Sequence, residues 1–61
     1  MSQPAYPPNL LTPTQKRVLD YRRAGHSWRT IALALKLDEA TVRGHHRRAQ
    51  ARIDKHRQEA T

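Results

Sequence analysis

The sequence predicts a small all-α fold: three helices forming a helix-turn-helix domain behind a disordered, Pro-rich N-terminal arm. Three observations predict it. Apolar residues recur at helical spacing in three separate stretches, each stretch begins at a residue suited to cap a helix, and no run alternates as a strand would. At 61 residues with 36% apolar content, no Phe, one Trp and two Tyr, the chain can bury only one small core. There is no Cys to staple it, so helix packing must hold it together.

Residues 1–10 carry no charged side chain and contain Pro4, Pro7 and Pro8, which disfavour helix, and are read as an extended arm. Residues 11–56 form the domain, and 57–61 a polar, frayed tail. Thr12-Pro13-Thr14-Gln15 is a helix start: Thr12 caps, Pro13 suits the first turn, and Gln15 stands where a capping box needs it. The first helix is predicted at Pro13 to Ala24, with Gly25 as its left-handed stop. Ser27 caps the second, about Trp28 to Leu35, whose Trp28, Ile31, Ala32 and Leu35 make one apolar stripe. Lys36 and Leu37 leave a very short connection. Asp38 caps the third, about 39–55, with Val42, Ala49 and Ile53 on its core face and a neutral, hydrogen-bonded His46 filling the slot between them.

Charge placement separates the functional classes. Twelve Lys and Arg against five Asp and Glu give a net +7, which on its own suits nucleic acid, an anionic membrane or an acidic protein. The surplus is densest on the third helix, where Arg43 and Arg47 share a side, with Gly44 and Arg48 adjacent, away from the core line. Nine of the twelve cations are Arg, the side chain suited to guanine edges and phosphates, which favours double-stranded DNA as partner. A second helix, short link and basic third helix have the spacing of a helix-turn-helix that sets its second member in the major groove.

Other classes fit poorly. No stretch approaches the ~20 apolar residues of a membrane span and no signal-peptide plan is present, so the expected location is the cytoplasm of a bacterial cell or phage-infected host. Adjacent His45 and His46 point about 100° apart on a helix, with no Cys or acid at a ligand spacing, so no metal is expected. Neither a cofactor nor a small-molecule ligand is called for, and no nucleophile, phosphate loop or enclosed triad suggests an enzyme. Trp28 is read first as core, with an indole tip able to reach a phosphate.

The strings Leu11-Thr12-Pro13, Val18-Leu19, Gly25-His26-Ser27-Trp28, Ile31-Ala32, Leu35-Lys36-Leu37 and Glu39-Ala40-Thr41-Val42-Arg43 together resemble the helix-turn-helix of LuxR/GerE-type regulators and of sigma-factor C-terminal (region 4-like) domains. The likeness spans about residues 10 to 53. It implies sequence-specific DNA binding and transcription control, with Thr41, Arg43, Gly44, His45 and Arg47 at base-facing positions. Trp28, Arg29 and Arg48 match phosphate-facing ones, to which Ser27 and Arg52 are added.

Departures from the pattern carry expectations too. Lys36 stands where the family usually has Gly, so either Lys36 adopts the left-handed conformation or the turn differs. His46 replaces a family leucine, and Leu33 a usually polar residue. After Ile53 no apolar stripe supports the fourth, dimerising helix of LuxR-type domains, and no promoter-melting domain of a sigma factor precedes the match. The leading expectation is a small bacterial or bacteriophage transcription regulator. The alternative is a sigma-like module that docks on RNA polymerase or another regulator through Leu33 and the arm. A second copy of the chain, and a phage packaging or recombination role, are further options.

Overall fold

A computed structural model describes residues 9–60 and contains three helices: α1 (Pro13–Arg23), α2 (Trp28–Leu35) and α3 (Glu39–Ala60). No strand occurs among the described residues. Most of the Pro-rich arm read from the sequence, residues 1–8, lies outside them.

α1 starts as its sequence dictates. The backbone N–H of Gln15 donates to the Thr12 hydroxyl oxygen at 3.2 Å, and the Gln15 side-chain carbonyl accepts from the Thr12 N–H at 3.2 Å. This reciprocal pair satisfies two otherwise orphaned amides and gives the buried Gln15 a partner for its side-chain carbonyl. At the other end, Gly25 at φ 92° turns the chain, with His26 N–H donating to the Tyr21 carbonyl at 3.1 Å and Gly25 N–H to that of Arg22 at 3.0 Å. Those two bonds are the Schellman pair.

α2 ends the same way with a less suitable residue. Leu37 N–H donates to the Ala32 carbonyl at 2.9 Å and Lys36 N–H to that of Leu33 at 3.4 Å. Lys36 sits at φ 58°, ψ 45°, the left-handed conformation that was one of its two expected outcomes. The bonds close the helix, and a side chain is tolerated where Gly would be unstrained.

α3 is longer than the sequence suggests. It begins after Asp38, whose carbonyl accepts from Val42 N–H at 3.0 Å, and continues for 22 residues to Ala60. The expected polar fray at 57–61 is therefore helical through Ala60. Apolar content was the wrong guide there: Ala, Arg, Lys, Gln and Glu are strong helix formers without needing a core to pack on. A Gln50 amide to Asp54 carboxylate bond at 3.3 Å, one turn apart, adds local support.

The core has two clusters. Leu11, Leu19, Ala49 and Ile53 join the chain entering α1, α1 itself and the middle of α3, with Leu10 packed against them. Val18, Ile31, Ala32 and Val42 join α1, α2 and the head of α3, edged by Tyr21, Trp28, Leu35 and Leu37. The neighbours Val18 and Leu19 divide between the two, so α1 backs both α2 and α3. α3 thereby keeps one long flank free of the protein.

Candidate nucleic-acid interface

The free flank of α3 is the basic one. Thr41, Arg43, Arg47, Arg48 and Arg52 are exposed, while Gly44, His45 and His46 are half-buried. At roughly 100° per residue, the direction opposite Val42, Ala49 and Ile53 runs through Ala40, Gly44, Arg47 and Ala51. Ala40 and Ala51 are exposed, and a Cβ built on Gly44 meets no atom within 4 Å. The centre of the face is thus low except at Arg47, with further long cationic side chains beside it. Arg43 stands on one flank, Thr41 and Arg48 on the other. Of the predicted base-facing residues, His45 is turned furthest towards the packed side, and its Nδ1 is buried without a hydrogen-bond partner.

The start of α2 adds a second element. The Ser27 hydroxyl accepts from Thr30 N–H at 3.1 Å and donates to the Thr30 hydroxyl at 2.9 Å, so its side chain is committed to capping. Arg29 is exposed in the first turn, where backbone N–H groups lack intrahelical acceptors and favour anions.

Trp28 is half-buried at the meeting point of all three helices. The Arg22 guanidinium lies 4.1 Å from its ring centre, that of Arg43 at 5.9 Å, and the His46 ring meets it edge-on at 5.1 Å. Arg22 is held from its other side by a 2.9 Å bond to the His26 carbonyl. His46 therefore fills the expected slot, but against an aromatic edge in place of the hydrogen-bond partner expected for it. Burial, and secondarily the Arg22 charge, hold its pKa below the usual 6.5.

Arg52 has a task the sequence did not reveal. Its Nη1 donates to the Leu10 carbonyl at 3.1 Å, tying the chain entering α1 to α3 across 42 residues. Arg22 was likewise missed, since its role depends on a contact between α1 and α2 that no local pattern encodes.

Comparison with known proteins completes the picture. The model of the family described as bacterial regulatory proteins, luxR family (GerE), matches residues 9–61. The chain belongs to the LuxR family. It is accordingly a helix-turn-helix DNA-binding domain of a transcription regulator, a type of module not typically enzymatic. Neither the curated proteins nor the solved structures yield a match. Among the described residues no helix is long and apolar enough to cross a membrane, and no cluster of His, Asp or Glu could hold a metal ion. The LuxR-family match extends through the whole of α3, including the part beyond Ile53.

Proposed function

We propose that this LuxR-family chain binds a specific double-stranded DNA sequence by laying α3 in the major groove. The observation that carries the reading is the exposed flank of α3, low at Ala40, Gly44 and Ala51, with Arg47 on the same line and Arg43 and Arg48 on its two borders. A groove about 12 Å wide admits a helix, small residues on the facing side let it approach closely, and Arg side chains reach base edges or phosphates. Gly44 and Arg47 face the floor, Arg43 and Thr41 read from its two sides, and His45 contributes from the flank nearest the core. Arg29, Arg48 and Arg52, with the Ser27 to Arg29 backbone and the Trp28 indole N–H, hold phosphates. The host cell is bacterial, as the origin of such regulators suggests, and a bacteriophage regulator acting in it is the finer alternative.

The test is a binding series on DNA selected in vitro from random sequence. Log affinity should fall steeply with log salt as phosphate contacts release counterions. Arg43→Ala should relax base preference, and Arg48→Ala should weaken all sequences alike and flatten the salt slope by about one. Equal binding of selected and scrambled sites by the intact chain would defeat the reading.

One feature favours a second reading. Leu33 is 71% exposed on α2, an apolar side chain on the surface of a small domain. It suits docking on RNA polymerase, another regulator or a second copy. A partner that survives nuclease treatment and is lost on Leu33→Asp would support that role.

A further inference from the structure

The side chains around Trp28 belong to different helices. Arg22 comes from α1, Trp28 opens α2, and Arg43 and His46 are one turn apart on α3. Two guanidinium groups share the neighbourhood of one indole, at 4.1 and 5.9 Å from its centre, and the His46 ring takes an edge at 5.1 Å. A Trp ring attracts a guanidinium across its face, more strongly than Phe or Tyr would. Arg is otherwise a long side chain with roughly 2 kcal/mol of rotamer entropy to lose when it is fixed. An Arg already held beside a ring loses less of that freedom on reaching a base.

We propose that Trp28 is a positioning residue for DNA recognition: by holding the Arg43 guanidinium beside its ring, it fixes the direction from which Arg43 reads its base. Arg22 secures the ring from α1, and is itself fixed by the His26 carbonyl. His46 seats the ring against α3 one turn beyond Arg43. Specificity at one base pair is therefore set jointly by the helix that enters the groove and by the first residue of the helix before it. The proposal rests on Arg43 being a base contact, as proposed above.

Two variants and one spectroscopic measurement test it. Trp28→Met keeps an apolar side chain of useful bulk but removes the aromatic face; Trp28→Phe keeps a smaller face. Both are compared with the intact chain and with Arg43→Ala on the selected site and on that site changed at the base pair sensitive to Arg43. Met should reduce discrimination at that pair by about tenfold, within the range a lost bidentate contact gives, and Phe should restore part of it. The salt slope should stay unchanged in both, because no charge is removed. In the Arg43→Ala background, Trp28→Met should cause no further loss at that pair. The NMR resonance of the Arg43 side-chain Hε in free protein should carry a ring-current shift that Trp28→Met abolishes, a reading that requires neither DNA nor a stable variant beyond the intact chain to show the shift itself.

Outcomes separate cleanly. If Arg43→Ala relaxes preference but Trp28→Met does not, or if the Hε resonance of the intact chain carries no ring-current shift, positioning by Trp28 is overturned while the groove reading stands. If Arg43→Ala leaves base preference intact, Arg43 is no base contact and the positioning role falls with it. If Met and Phe lower the affinity for every sequence equally, Trp28 serves the core or a phosphate contact without positioning Arg43, and the proposal is overturned.

Discussion

Replacing Lys36 by Gly tests whether the turn between α2 and α3 is under backbone strain. Lys36 lies at φ 58°, ψ 45°, and its two structural bonds, its own N–H to Leu33 and the Leu37 N–H to Ala32, are both made by backbone. Gly keeps them. It also removes the Cβ crowding that costs an L residue roughly 1–2 kcal/mol in this region. Against that, Gly gains freedom in the unfolded chain, worth about 0.4–1 kcal/mol. The expected net gain is about 0.5–1 kcal/mol, or roughly 2–8 °C in melting temperature for a domain this small. Urea and thermal unfolding followed by far-UV circular dichroism read it directly. Lys36→Ala is the control, because it removes the same positive charge while keeping the Cβ, and should gain nothing comparable. If Gly fails to stabilise, or Ala stabilises as much as Gly, the effect is charge repulsion in a +7 chain and the strain argument is wrong.

Two further outcomes follow from the core and its edge. Ile31 is wholly inaccessible, so Ile31→Ala should cost about 2–5 kcal/mol, much of the stability of a domain this size, and unfolding by urea at 25 °C would show it. His46 titrates below its ordinary range in the folded chain, so the unfolded state binds the proton more readily. Its contribution to stability is therefore full above about pH 6.5, the unfolded value, and is lost as pH falls from there towards the lower folded value. His46→Leu should remove that part of the pH dependence between pH 7.5 and 5, and melting curves that keep the same slope would refute it.

What was legible in the sequence was mostly local. The capping box, Gly25 and the Ser27 cap use residues within four positions of one another, and each appears where the pattern put it. The apolar stripes likewise named the buried set, because a helix face is fixed by spacing alone. Failures came where the decisive partner is distant or the criterion was too narrow. The Arg52 bond to the Leu10 carbonyl is invisible locally because it depends on how the entering chain crosses α3, and it leaves the other guanidinium donors for the phosphate proposed above. Residues 57–60 looked frayed because apolar pattern was used to end a helix that composition alone can extend. For His46 the general rule for buried polar groups predicts a hydrogen-bond partner, yet the structure supplies a T-shaped contact with the indole. Of the interface, the cationic flank was readable from the helix wheel, whereas the Arg22–Trp28–Arg43 arrangement needed three helices in place before it existed.

Val18 and Leu19 are consecutive in α1, yet each serves a different half of the core. One half braces α2 and the head of α3; the other braces the middle of α3 and the entering chain. A single peptide unit therefore couples the cluster that braces α2 and the head of α3 to the one that braces the middle of α3. Substitutions in α1, which holds none of the residues proposed to contact DNA, would on that reading shift how α3 sits between these two supports. On the proposed reading, changes in base preference would have a route through a helix that makes no DNA contact of its own.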